Sequence, residues 1–156
     1  MSHVAFTVPL SKIIDELALE VIYTPNDPKE RLVGSPDLNR PGLALSGFLD
    51  YFDHDRIQML GKSEYGFLED LDEATRSNRV DEWLSQKPPA VIITRSQDVL
   101  PEIENGCRRY EIPLLRSADT TSSSMAALIA FLNVQLAPRI TRHGVLVEVY
   151  GEGILL

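Results

Sequence analysis

The chain has 156 residues, 44% of them hydrophobic and 24% charged, with a formal net charge of −8. This composition is ordinary for a soluble globular protein, and the length suits one domain plus a short appendage. The negative charge argues against nucleic acid and anionic membrane surfaces as partners, because both would repel it. The single cysteine, Cys107, rules out an intrachain disulfide and fits a reducing cytoplasm. Neither a membrane-spanning run nor a secretory signal is visible in the sequence.

The first third of the chain predicts short elements separated by turns. An apolar stripe at helical spacing predicts a first helix, and it comprises Leu10, Ile13, Ile14 and Leu17. Thr7 is the candidate cap of this helix. Short strands are predicted at residues 19–23 and 31–34, followed by a proline-rich loop at 35–42. Residues 43–48 predict either a strand or a short helix.

The middle of the chain predicts one strand and two short helices. The strand covers residues 56–60. One helical face consists of Phe67, Leu68 and Leu71, and the other consists of Val80, Trp83 and Leu84. The prolines at 88–89 end the second helix.

The pattern is clearer from residue 90 onward. The apolar run 90–94 predicts a strand buried on both faces, and 113–115 predicts another. Between them, Ile103, Cys107 and Tyr110 share one face of a helix that Asp98 is positioned to cap. This order is a β-α-β unit, which requires parallel strands. The best predicted helix then carries Met125, Leu128, Ile129, Leu132 and Leu136, with capping hydroxyls at 120–124 and Pro138 at its end.

These elements predict an α/β fold, with a mostly parallel sheet flanked by helices. We place a domain at residues 1–137 and a separate tail at 138–156. Within the tail, alternating valines at 145–149 and the apolar run 154–156 flank a Gly-Glu-Gly turn, which predicts a β-hairpin. An apolar edge strand invites pairing with another chain. We therefore expect this sequence to be a fragment of a longer protein.

Several short motifs imitate functional sites. Gly61-Lys62-Ser63 resembles the end of a phosphate-binding loop, but Arg56 stands where that motif requires glycine. Asp53-His54-Asp55 is better explained as a solvated loop than as a metal site, because adjacent residues of an extended chain point in opposite directions. For Cys107, helical spacing favours a small core residue over a reactive thiol. The hydroxyl run 120–124 permits either capping or anion binding at a helix start.

The segment Arg40-Pro41-Gly42 permits two interpretations. In the first, proline and glycine fix the backbone while Arg40 projects to bind a carboxylate or phosphate, with Gly42 beside the ligand. In the second, Pro41 and Gly42 shape a turn and Arg40 braces a neighbouring acidic residue. The sequence alone does not separate them.

A family resemblance covers nearly the whole chain. It is carried by H-G-V-L-V-E-V-Y-G-x-G-I-L from His143 onward, by Q-M-L-G-K-S-E at residues 58–64 and by R-P-G-L at 40–43. These motifs resemble the HPr kinase/phosphorylase family, and the chain corresponds to its amino-terminal half, ending just before the nucleotide-binding loop. The resemblance implies a domain similar to the amino-terminal domain of Mur ligases. It also places His143 among the active-site residues of the longer protein, where its pKa range suits proton transfer.

The resemblance further implies a cytoplasmic, bifunctional protein serine kinase. Such a kinase uses ATP and Mg²⁺ to phosphorylate HPr, the phosphocarrier of the sugar phosphotransferase system, reverses this by phosphorolysis, and assembles as a hexamer. It thereby regulates carbohydrate metabolism. We expect the present chain to be catalytically inactive by itself. Its role is then that of a regulatory domain, a sensor of phosphorylated sugars or nucleotide sugars, or a structural module for docking or oligomerisation.

Overall fold

The computed structural model describes residues 6–137, which form a central sheet with helices on both faces. The strands are β1 (Val8–Pro9), β2 (Glu20–Tyr23), β3 (Leu32–Val33), β4 (Leu38–Asn39), β5 (Ile57–Leu60), β6 (Val91–Ile93) and β7 (Leu114–Arg116). The helices are α1 (Leu10–Leu17), α2 (Gly42–Leu45), α3 (Lys62–Asp70), α4 (Glu73–Leu84), α5 (Pro101–Tyr110) and α6 (Thr121–Leu136).

The main sheet has five strands in the order β2-β7-β6-β5-β4. Strands β4 to β7 are parallel, whereas β2 pairs antiparallel with β7 at one edge. A separate two-stranded antiparallel sheet joins β1 to β3. Helix α5 connects the parallel neighbours β6 and β7, so the predicted β-α-β unit is confirmed.

The strand register divides the interior into two hydrophobic clusters. Leu60, Ile93 and Leu114 face the first cluster, which helices α2 to α5 cover. Met59 and Ile92 face the second, which α1, α6 and the β1–β3 sheet cover. Strands β5 and β6 are buried along their whole length, as expected for parallel strands between two helical layers.

The start of α6 was predicted correctly, but two other predicted caps were wrong. The hydroxyl of Thr120 accepts a hydrogen bond from the backbone N–H of Ser123. Helix α1 has no side-chain cap from Thr7, because its first amides donate to backbone carbonyls of Pro28 and Arg31 instead. Helix α5 begins after Leu100, without a side-chain cap, so Asp98 lies too early in the chain to cap it.

Two further differences concern the sheet and its edges. Strand β4 lies inside the predicted loop 35–42, and residues 42–45 form a short helix, one of the two predicted alternatives. The predicted domain boundary near Pro138 and the predicted tail hairpin lie outside the described residues. Among the residues that are described, no helix is long and apolar enough to cross a membrane.

Candidate functional site

The four parallel strands end at one edge of the sheet, and polar residues follow each of them. Arg40 follows β4, Gly61 follows β5, Thr94 follows β6 and Ser117 follows β7. Helices α3 and α6 begin at the same edge. The carboxyl ends of parallel strands are the usual location of binding sites in open α/β sheets. This edge of the sheet is therefore the expected location of a binding site.

Arg40 is held there by a nearly buried carboxylate. Its Nε and Nη2 donate to the two carboxylate oxygens of Glu64 at 3.0 and 2.7 Å. Glu64 is only 6% exposed, and its Oε1 also accepts from the backbone N–H of Gly61 at 2.7 Å. The remaining Nη1 of Arg40 lies 3.8 Å from the sulfur of Met125. The contact foreseen in the second interpretation, an arginine bracing an acidic residue, is thus present.

The hydroxyl groups at this edge are engaged within the protein. Thr94 Oγ1 donates to the carbonyl of Leu60 at 2.9 Å and lies 2.7 Å from Thr121 Oγ1. Similarly, Ser117 Oγ lies 3.0 Å from Ser124 Oγ. These bonds tie the start of α6 to the ends of the strands, and they account for the hydroxyl run by capping and packing.

Gly61 allows this close approach. A Cβ atom at residue 61 would lie 2.6 Å from Thr121 Oγ1 and 2.9 Å from Arg40 Nη2. Both distances are shorter than real Cβ contacts, so a side chain here would displace the arginine or the helix start. Gly61 of the G-K-S motif is therefore required for close packing. Its backbone N–H already donates a hydrogen bond to the Glu64 carboxylate.

A cavity of about 300 Å³ opens beside Arg40, next to the edge strand β4. Its apolar lining consists of Pro41, Leu43, Ala44, Phe48, Tyr51 and Phe52. Its polar lining consists of Asn39, Arg40, Asp53 and Arg56. A concave, mostly apolar surface with a few polar groups is typical of small-molecule sites. We call it the β4 cavity.

The charges in the wall of the β4 cavity are paired. Arg56 Nε lies 3.2 Å from Asp53 Oδ2, and its Nη2 lies 3.7 Å from Asp37 Oδ2. Arg40 is paired with Glu64 as described. Some apolar side chains at the cavity are in contrast exposed to solvent, since Leu43 is 69% and Tyr51 is 89% exposed.

The predicted site residues occupy different positions relative to this cavity. Arg40 forms part of its wall, whereas Gly42 begins α2 and has nothing within 4 Å of an added Cβ. His143 lies outside the described residues. The aromatic residues of the lining were not predicted as site residues from the sequence. Their clustering, with Phe48, Tyr51 and Phe52 within five positions, was the available signal.

The loop with the Asp-His-Asp motif makes local contacts. Asp53 pairs with Arg56, and His54 Nδ1 lies 2.8 Å from the carbonyl oxygen of Gln86. Between residues 6 and 137, no three side chains of His, Cys, Asp or Glu are grouped so as to hold a metal ion.

Two ionisable groups with raised pKa values belong to the core beneath α3 and α5. Burial raises the pKa of Tyr65 to about 12, and its hydroxyl donates to the carbonyl of Asp98 at 2.6 Å. Burial, with a smaller contribution from Glu104, raises the pKa of Cys107 to about 12. Both residues are therefore structural at neutral pH, and the core position predicted for Cys107 is confirmed.

Comparison with solved structures supports the fold. The chain superposes with a TM-score of 0.56 on the CBS and DRTGG domains of the regulatory region of Clostridium perfringens pyrophosphatase, whose crystal structure contains the activator diadenosine tetraphosphate. The match covers 82% of this chain and 50% of that one, at 12% sequence identity. At this identity the likeness concerns the fold alone.

Comparison with curated proteins gives much closer relatives. The HPr kinase/phosphorylase of Caldicellulosiruptor bescii is 41% identical over 151 residues, which is 97% of this chain and 49% of the relative. That of Lachnoclostridium phytofermentans is 38% identical with the same coverage. That of Bacillus mycoides is 37% identical, covering 92% of this chain and 46% of the relative. The chain thus spans about half the length of these relatives.

The family described as "HPr Serine kinase N terminus" matches residues 8–132. This range includes every element of the main sheet, together with Arg40, Gly61 and the β4 cavity. The predicted resemblance is confirmed, and the chain belongs to the HPr serine kinase amino-terminal family.

Proposed function

We propose that this chain is the amino-terminal regulatory domain of a bifunctional HPr kinase/phosphorylase. The observation that carries the proposal is the family match over residues 8–132, together with relatives named HPr kinase/phosphorylase that align along 97% of the chain. The longer protein would phosphorylate a serine of the phosphocarrier HPr and remove the phosphate by phosphorolysis. It would thereby regulate carbohydrate metabolism through the phosphotransferase system.

In this proposal, ATP and Mg²⁺ bind outside the domain, and hexamer formation also depends on the rest of the protein. The geometry around Gly61 supports that division. A phosphate loop needs free backbone N–H groups, but the Gly61 N–H donates to Glu64, whose negative charge would repel a phosphate. His143 would act in the active site of the longer protein, close to the nucleotide.

A phosphorylation assay tests the proposal directly. HPr is incubated with ATP and Mg²⁺ in the presence of either the 156-residue chain or the longer protein from the same gene. We expect phosphoserine formation only with the longer protein, and its reversal by inorganic phosphate. Turnover by the 156-residue chain alone would contradict the assignment of catalysis to the other half. Failure of the longer protein to phosphorylate HPr would contradict the proposed activity.

His143 has its own test in the longer protein. We expect His143→Ala to lower kcat by at least tenfold, because proton transfer typically contributes 10²–10⁴-fold to a rate. His54→Ala is the matched control, since His54 contacts a backbone carbonyl far along the chain from residue 143. Equal activity of both variants would remove His143 from the proposed active site.

A second candidate function is small-molecule sensing, and the β4 cavity is the observation that favours it. A phosphorylated sugar or nucleotide sugar bound there would adjust the kinase–phosphorylase balance. Thermal shift assays with such compounds test this role. We expect a concentration-dependent rise in Tm for at least one compound, and the absence of any shift would contradict sensing.

A further inference from the structure

The side chains of the β4 cavity favour an uncharged ligand over an anionic one. Both arginines in its wall are already paired with carboxylates, Arg40 with Glu64 and Arg56 with Asp53. An anion that captured Arg40 would leave Glu64 without its partner at 6% exposure, and a buried unpaired carboxylate is strongly unfavourable. The wall is therefore balanced in charge before any ligand arrives.

The aromatic part of the lining is the available recognition surface. The rings of Phe48 and Tyr51 have centroids 5.9 Å apart and are tilted by 50°, and Phe52 lines the same cavity. Tyr51 is 89% exposed, so most of its ring area faces solvent. Flat ligand groups stack on such rings, because every planar ring offers a polarisable face.

The volume limits the size of the bound group. About 300 Å³ is at the lower end of the range for small-molecule pockets, which reaches roughly 1,000 Å³. A single ring system fits this space, whereas a helix of a partner protein needs a longer groove. The side chain of Asn39 lines the same wall and adds a group that can form hydrogen bonds.

We propose that the β4 cavity binds the uncharged ring of a small molecule, stacked against Phe48 and Tyr51. The inference rests on the sensing role described above and specifies which part of the ligand is recognised. A nucleobase and the apolar face of a sugar share this chemistry. A phosphate attached to either remains in solvent and does not strengthen binding.

Titrations monitored by ¹H–¹⁵N NMR test this proposal with the 156-residue chain. The probes are adenosine, uridine, methyl glucoside and N-acetylglucosamine, with adenosine 5′-monophosphate and glucose 6-phosphate as charged counterparts. We expect saturable chemical-shift changes within residues 39–56 for either the nucleosides or the sugars. The class that binds shows whether the recognised ring is a nucleobase or a sugar. The phosphorylated counterpart should bind within threefold of the uncharged compound.

Two matched variants locate the site. Tyr51→Ala should raise the Kd at least fivefold, and the high exposure of Tyr51 makes loss of folding a minor concern. Val134→Ala is the control, because Val134 is also an exposed apolar residue, at 65%, and lies on α6 across the sheet from the helices that cover the first cluster. It should leave the Kd unchanged.

Three results would overturn the inference. They are the absence of saturable shifts with every uncharged probe, tenfold tighter binding of the phosphorylated probes, and equal effects of the two variants. Shifts at residues 39–56 produced only by added HPr protein would instead make this surface a protein contact. A bound ring that leaves the activity of the longer protein unchanged would contradict the sensing role but not the cavity's specificity.

Discussion

Arg40 illustrates how a buried carboxylate determines the role of an arginine. Its two bonds to Glu64 are bidentate, and Glu64 receives a third bond from the Gly61 amide. Truncating Arg40 would leave the Glu64 carboxylate buried with no charged partner and only the Gly61 amide as a hydrogen-bond donor. The stability of the domain therefore depends on Arg40, whether or not a ligand also contacts it.

We expect Arg40→Ala to lower the free energy of unfolding by about 1–3 kcal/mol, because it leaves the buried Glu64 carboxylate without its charged partner while Arg40 itself is 32% exposed. Arg56→Ala is the matched control, because its pairs are exposed and such pairs contribute about 0–1 kcal/mol. Adding Glu64→Gln to Arg40→Ala should recover part of the loss by removing the unpaired charge. Urea denaturation measures all three, and equal costs for the two arginines would contradict a stabilising role of the Arg40–Glu64 pair.

Cys107 provides a second residue-scale prediction, since it is fully buried and its pKa is raised to about 12. The thiolate is the reactive form, so the native thiol should react with a disulfide reagent only when the domain opens. We expect a reaction at pH 8 at least 100-fold slower than in urea. Absorbance of the released thiolate measures the rate. Fast reaction of the native chain would show that the packing of α5 against α4 and the sheet does not protect the thiol.

At the scale of elements, two glycines of the α3 region differ in whether the surrounding structure has space for a side chain. A side chain at Gly61 would collide with Thr121 and Arg40, whereas a Cβ at Gly66, inside α3, meets nothing within 4 Å. Gly61→Ala should therefore destabilise the domain by about 1–3 kcal/mol through overpacking. Gly66→Ala should stabilise it by about 0.5–1 kcal/mol, because alanine is the better helix former.

Denaturant unfolding of the two glycine variants gives the comparison directly. A stabilising effect of Gly61→Ala would mean that the start of α6 adjusts freely to the added methyl group. The hydrogen bonds between Thr121 and Thr94 and between Ser124 and Ser117 make that adjustment unfavourable.

The sequence predicted elements with long apolar patterns and missed those determined by distant contacts. The runs at 90–94 and 125–136 correspond to β6 and α6, because burial imposes their periodicity. Strand β4 has only two residues and exists through its pairing with β5, so no local pattern reveals it. The start of α1 depends on carbonyls of Pro28 and Arg31, which are distant in sequence.

The candidate site was predicted only in part for the same reason. The R-P-G segment pointed to Arg40, but its partner Glu64 is 24 residues away and became visible only in the fold. The aromatic wall of the β4 cavity was present in the sequence as a cluster. Its concavity depends on how the 46–56 loop returns to β5, which composition does not determine.

At the scale of the whole molecule, two protonated groups in the first hydrophobic cluster link stability to alkaline pH. Cys107 and Tyr65 ordinarily titrate near 9 and 10, and burial raises both pKa values to about 12. The folded state consequently holds more protons than the unfolded state between these limits. Stability must then fall as the pH rises from about 9 through 12.

We expect the urea midpoint to decrease across this window, and two variants to flatten the decrease. Cys107→Ala removes one group, and Tyr65→Phe removes the other along with its bond to the Asp98 carbonyl. Both should be less stable at pH 7 but lose less stability between pH 9 and 12. Slopes identical to that of the unmodified chain would contradict the linkage.

The hydrogen bonds of Gln58 have a practical consequence for spectroscopy. Gln58 is fully buried, and its Oε1 accepts from Trp83 Nε1 at 3.1 Å and from Asn39 Nδ2 at 2.9 Å. The indole of the chain's single tryptophan is thus two hydrogen bonds away from the wall of the β4 cavity. Its fluorescence should report on both the docking of α4 and any displacement of Asn39, so the protein contains its own optical probe of the cavity.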